Sequence, residues 1–298
     1  MDESVFNINF RALPLSDDFM FGEVMRRPEI CKLFLEALLG KEIARIEYIT
    51  KQQDVSDSYT GHGIRLDVYL RDEANTIYSI EMQTSAGAAI FKRIRYYQGT
   101  IDRHNLKKSE HYSRLPESFI IMICTFDLIG RGMAFYKRKV TIEDCEDYTY
   151  DDGTHIFFLN SAYTIGNADE AILEFLRCIH TNDTEPEVYS SQLMKKVCPA
   201  IEEVRSDPGK EAEYMTWQTK IMDIEFEATQ KGIEKGLEKG REEGLKEGRA
   251  ETLEVGMRTL VKAFHKLAQK PEDAEQYLAE NYHMSQEEAR KKVASYWT

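Results

Sequence analysis

The stretch IRLDVYLRDEANTIYSIEMQT, residues 64–84, decides how this chain is read. Residues 64–71 alternate in character, with Leu66, Val68 and Leu70 on one face and Arg65, Asp67 and Tyr69 on the other. Residues 77–83 alternate as well, which places Glu81 and Gln83 on one face. Asp72-Glu73-Ala74-Asn75 is polar and turn-prone, so the two runs form an antiparallel hairpin. With Glu73-Ala74-Asn75 as the loop, Asp72 faces Thr76, Arg71 faces Ile77 and, counting back, Asp67 faces Glu81. Directly opposed residues project to the same side with Cβ atoms about 4.5–5.5 Å apart. The register therefore sets two carboxylates side by side, with Gln83 one step further along.

Two carboxylates at that separation repel unless a cation offsets them. Mg²⁺ takes oxygen ligands, commonly one or two carboxylates together with waters and phosphate oxygens. A half-exposed hairpin whose polar face is merely acidic is the alternative, and geometry by itself leaves both readings open.

Asp, then Glu-x-Gln fourteen residues on in an apolar strand, resembles the Asp…Glu-x-Lys core of the PD-(D/E)XK nuclease superfamily. More narrowly, the chain resembles the Rpn family of recombination-promoting nucleases. The resemblance runs from Leu15 to about His180. It is carried by Asp17-Asp18-Phe19-Met20-Phe21, Ile80-Glu81-Met82-Gln83, Arg93-Ile94-Arg95-Tyr96-Tyr97, the segment 112–116 and Ile156-Phe157-Phe158-Leu159-Asn160. It implies a restriction-endonuclease-like α/β core, a mixed β-sheet flanked by helices, and an Mg²⁺-dependent endodeoxyribonuclease, with Mn²⁺ as an alternative ion. On this pattern Asp67, Glu81 and Gln83 are the catalytic candidates. Asp67 and Glu81 are the metal candidates, with the Met82 carbonyl as a third oxygen. Asp18 matches the acidic residue opening the family's first helix; an outer-shell role and a plain N-cap are both open. The departure is Gln83, where the superfamily has Lys: an amide orients water but offsets no charge, so Lys92 or Arg93 has to serve as the cation.

The net charge of −13 opposes nucleic-acid binding, which depends mainly on Lys and Arg. It is unevenly spread. Residues 91–114 hold seven basic side chains against Asp102 and Glu110, with tyrosines and histidines interleaved. Lys92, Arg93, Arg95 and Tyr97 are the DNA-binding candidates, although Arg93 and Tyr97 suit packing equally well. The five cysteines are scattered, with no C-x-x-C pair, which disfavours a zinc site and suits reduced thiols in a cytoplasm. No apolar run approaches the roughly 20 residues of a membrane span, and the N-terminus lacks a basic, then apolar, signal.

Along the chain we expect helices at about 18–27, 28–39, 87–107 and 168–180, and strands at 43–50, 119–126, 132–139 and 155–159. A polar loop fills 51–63. The organisation is a nuclease-like domain (1–180), a helical connector (181–225), a charged helix with glycine at every fourth residue (226–250) and a small helical C-terminal element (251–298). Asp207-Pro208-Gly209 is the expected hinge. Gly232, Gly236, Gly240, Gly244 and Gly248 each weaken a helix by about 0.8–1.0 kcal/mol. A close approach to another helix, and so a homo-oligomer, would offset that; a frayed charged linker is equally compatible. In the last element, Val255, Leu260, Phe264 and Leu267 form the expected apolar stripe, and Ser285 with Glu288 forms a capping box. The functional expectation is a DNA endonuclease acting in recombination or transposition; the alternative is a nuclease-like fold kept as a non-catalytic binding or assembly module.

Overall fold

A side-chain cap starts the first helix in this computed structural model, which describes residues 9–48, 67–87 and 89–297. Asp17 Oδ1 accepts the N–H groups of Phe19 and Met20 at 2.9 and 3.3 Å and so opens α1 (Asp18–Met25). Pro28 presets φ for α2 (Pro28–Leu39), and Gly40, at φ +66°, closes it in the left-handed conformation. β1 (Ile46–Tyr48) follows. The expected loop at 51–63, the ends of two expected strands (Ile49, Thr50 and Ile64 to Leu66) and the first eight residues lie outside the described residues.

β2 (Val68–Asp72) and β3 (Ile77–Gln83) pair antiparallel, with Val68 opposite Ile80, Tyr69 opposite Ser79, Leu70 opposite Tyr78 and Arg71 opposite Ile77. That is the expected register. Buried Asp72 holds the turn: its Oδ1 accepts from the N–H groups of Ala74 and Thr76 at 3.0 and 2.9 Å, and Oδ2 accepts from the Tyr78 hydroxyl at 2.8 Å. Asn75 closes the loop at φ +67°, a conformation its short polar side chain tolerates. Asp72→Ala removes three acceptor contacts and orphans buried donors. We expect a loss of about 2–4 kcal/mol, read as a lower urea midpoint at unchanged m-value.

α3 (Ile90–Asn105) is shorter than the expected 87–107, stopping where Leu106 turns extended. β4 (Ser118–Cys124) is buried at every position. β5 (Phe135–Lys137) precedes a ribbon of β6 (Thr141–Ile142) and β7 (Cys145–Thr149) that the sequence analysis does not foresee. β8 (Thr154–Asn160) completes a six-stranded mixed sheet of order β1-β2-β3-β4-β8-β5, in which β3, β4 and β8 run parallel. α3 is the crossover between the parallel strands β3 and β4. It covers one sheet face through Ile90, Ile94, Tyr97 and Ile101, packed with Tyr69, Ile77, Ile120, Met122, Ile156 and Phe158.

After α4 (Glu170–Thr181) and α5 (Met194–Ser206), the chain enters α6 (Pro208–Lys266), α7 (Pro271–Asn281) and α8 (Gln286–Tyr296). The first compact unit extends to Met215. Three buried anchors account for this. Glu174 accepts from the Ser190 N–H and hydroxyl and the Ser191 N–H at 2.7–2.9 Å. Arg205 donates to the Leu13 carbonyl through Nε and Nη2 at 3.1 and 2.8 Å. Tyr214 packs between Phe10 and Phe19. The chain does turn at Asp207, which caps Gly209, but the fold continues past that point.

The second unit covers residues 216–298. Met257, Val261, Ala274, Leu278, Ala289, Val293 and Tyr296 form its core, with Leu260 and Phe264 packed against them. Val255 and Leu267, two members of the expected stripe, are exposed instead. The Ser285–Glu288 capping box forms as expected. The five repeated glycines lie in helix, and a Cβ placed on any of them would meet nothing within 4 Å among the described residues. Among the described residues, no helix is long and apolar enough to cross a membrane.

Candidate active site

Strand alternation brings the candidate residues to one face. Asp67 lies one step before Val68, just outside β2, and its N–H bonds the Glu81 carboxylate. Asp67 Oδ2 in turn accepts the Met82 N–H at 2.9 Å. Asp67 is partly exposed at the strand's start, whereas Glu81 is 2 % exposed under α3. Ser79, two residues back on the same face, donates its hydroxyl to Glu81 Oε1 at 2.9 Å.

Burial, and then the charge of Asp67, push the Glu81 pKa well above its ordinary value; the Ser79 hydroxyl, Arg93 and the Asp67 N–H pull the other way without reversing it. The donor set fits a hard divalent ion. Two carboxylates converge from neighbouring strands, and each makes the other costly as an anion until a cation lies between them. In the metal-free protein the raised Glu81 pKa means that the folded state keeps a proton which the unfolded state releases. Stability therefore declines as pH rises from the ordinary value of 4.5 through the raised one. Glu81→Gln should abolish that decline, so above this window the variant should have the higher urea midpoint, with no difference below it.

Gln83 is held at both ends. Its Nε2 donates to the Met82 carbonyl at 2.6 Å, and its Oε1 accepts from Arg93 Nη2. Only this orientation of the amide satisfies both neighbours. The Met82 carbonyl, expected as a third oxygen, thus already accepts one hydrogen bond. Arg93 lies over the Tyr97 ring, 6.0 Å from its centroid, and its charge reaches Glu81. Burial and the Glu81 charge push the Tyr97 hydroxyl up to about 12, and burial pushes the Cys124 thiol, on the same sheet face, up to about 12; both stay protonated at neutral pH. Lys92 and Arg95 project outward from α3.

Asp18 is exposed in the first turn of α1, where the cap is Asp17, and among the described residues no group of three or more His, Cys, Asp or Glu side chains is placed to hold a metal ion. A residue the sequence analysis did not single out does reach the pair. Arg26, at the end of α1, donates Nη2 to the Asp67 carbonyl at 3.0 Å, anchoring the start of β2. Nothing local in the sequence marks that contact, which spans forty-one positions. Ser79 was legible in principle, since period-two alternation places it beside Glu81.

A family model described as PD-(D/E)XK nuclease family transposase matches residues 18–229. Searches of curated proteins and of solved structures return no match. The matched span contains the hairpin, α3, the parallel strands and the carboxylate pair, and the mixed sheet flanked by helices is consistent with a restriction-endonuclease-like fold. The chain belongs to the PD-(D/E)XK nuclease family transposases.

Proposed function

We propose that this protein is an Mg²⁺-dependent DNA endonuclease that hydrolyses phosphodiester bonds in recombination or transposition. Family membership supports the nuclease class, and PD-(D/E)XK nucleases generally use divalent metal ions. The observation that supports the reading is that Asp67 bonds the Glu81 carboxylate through its N–H and the Met82 N–H through Oδ2, with Arg93 drawn onto Gln83 beside them.

Asp67 and Glu81 would hold the ion. When bound, it supplies a water of lowered pKa and offsets charge building on the phosphate. Gln83 Oε1 accepts from Arg93 and keeps a second lone pair, with which it orients a water proton. Arg93 supplies the positive charge that Gln83 lacks. Tyr97, kept as the neutral phenol, braces the guanidinium from below. The basic surface of α3 tracks the DNA backbone through Lys92 and Arg95, which lets a chain of net charge −13 bind a polyanion locally. The direct test is plasmid nicking by the purified chain, present with Mg²⁺ or Mn²⁺ and absent with EDTA.

Gln83 in place of the superfamily's Lys keeps one other reading alive, a nuclease-like module without catalysis. Calorimetry separates the two: a module need not bind Mg²⁺ or Mn²⁺ at Asp67 and Glu81. For assembly, we assign the glycine stripe of α6 to a second copy of the chain, because Ile233, Leu237 and Leu245 are exposed beside it. Light scattering should show a larger species that is lost on deleting residues 232–248.

A further inference from the structure

We propose that the outward face of α3 is a stacking platform for an unpaired DNA strand, so that the preferred substrate presents unstacked bases next to the centre. The inference deepens the endonuclease reading and rests on it.

α3 buries Ile90, Ile94, Tyr97 and Ile101, which leaves the opposite side outward. At 3.6 residues per turn, Phe91, Asp102, Arg95, Gly99, Lys92, Arg103 and Tyr96 fall in that order across an arc of roughly 140°. The arc has an aromatic ring at each edge, three cations between them and a residue without a side chain in the middle. Phe91 and Tyr96 are 57 % and 48 % exposed.

Phe91 is also held in place. It meets buried Phe158 in a T-shaped contact, with ring centroids 5.9 Å apart, which gives the exposed ring a fixed base. A Cβ at Gly99 would meet nothing within 4 Å, so the centre of the arc is open to a flat group. Lys92 and Arg95 make no ion pair among the described residues, which leaves both available to phosphates.

Duplex DNA needs only the cations, because its bases are stacked on one another. Exposed rings interleaved with cations are instead the pattern that grips a single strand: each base has a π-face to stack, and the backbone follows the positive charge. Tyr96, at one edge of the arc, lies about 60° around the helix from Arg93, the residue that contacts Gln83. A strand lying on the platform is thereby led towards the carboxylate pair.

The test uses the full chain in EDTA, which prevents cleavage, with fluorescence anisotropy of labelled oligo(dT) and of a duplex of equal length. Phe91→Ala and Tyr96→Ala should each weaken oligo(dT) binding about tenfold, while duplex binding changes less than about twofold. Phe91→Trp should retain affinity and Phe91→Leu should lose it, which separates stacking from mere packing if the alanine variant folds poorly. Equal losses on both DNAs, no loss on oligo(dT), or no oligo(dT) binding by the unaltered chain would overturn the inference. Plasmid nicking distinguishes the two readings. Nicking without ring-dependent strand binding removes the platform and leaves the endonuclease; ring-dependent binding without nicking in Mg²⁺ or Mn²⁺ removes the endonuclease.

Discussion

Asp67→Ala is expected to reduce Mg²⁺-supported DNA cleavage on the order of 10³-fold or more. Asp67 carries the half of the carboxylate pair that reaches solvent, and its Oδ2 also accepts the Met82 N–H, so the substitution removes a charge and a brace together. Glu81→Gln should be as severe, for a different reason. The amide keeps the shape and can still accept from Ser79, but it has no charge with which to hold an ion. Initial nicking rates, taken with circular dichroism to show retained folding, decide the matter. If either variant cuts at the rate of the unaltered protein, the pair is not the catalytic centre.

The second large effect is expected at Arg93. It is the cation drawn onto Gln83, while Lys92, its neighbour in sequence, faces outward. Arg93→Ala should lower kcat about 10²-fold, the usual scale for losing one group that stabilises transition-state charge. A residue that only tracked the DNA backbone would raise KM and spare kcat. The informative companion is Gln83→Lys in the Arg93→Ala background. If Arg93 supplies the charge that Gln83 lacks, this second change should restore most of the lost kcat. A double variant no faster than Arg93→Ala would show that Arg93 braces the hairpin instead.

The hairpin could be read from sequence because each of its determinants is local. Asp72, Asn75 and a period-two pattern specify turn and register within some twenty residues, and register follows from the turn. Pro28 and Gly40 mark the ends of α2 for the same reason, and Ser285 with Glu288 marks the start of α8. What could not be read depends on distant partners. Arg26 on Asp67 and Arg205 on Leu13 join residues far apart in the chain, and no neighbouring residue signals either contact. The β6–β7 ribbon was missed because its sequence carries charges in place of an alternating apolar pattern. In α6, apolar residues are sparse, so more than one stripe fits. Leu260 and Phe264 were placed correctly, whereas Met257 and Val261 take the core positions assigned to Val255 and Leu267.

At the centre, the side-by-side placement of Asp67 and Glu81 was legible, but the burial that raises the Glu81 pKa was not. It arises because α3 folds back over the sheet between β3 and β4, and that crossover is a property of topology rather than of the hairpin. Adjacent aspartates at a helix start suit both an N-cap and an outer-shell group, so the sequence left the roles of Asp17 and Asp18 open; the structure shows Asp17 as the cap.

Anomalous diffraction from a crystal of this protein soaked in Mn²⁺ addresses the central claim most directly. We expect a peak shared by the Asp67 and Glu81 carboxylates, at the roughly 2.0–2.2 Å that a small hard divalent ion takes to oxygen. The peak should vanish in Glu81→Gln. A peak elsewhere on the chain, or none at this pair under saturating Mn²⁺, would contradict the account.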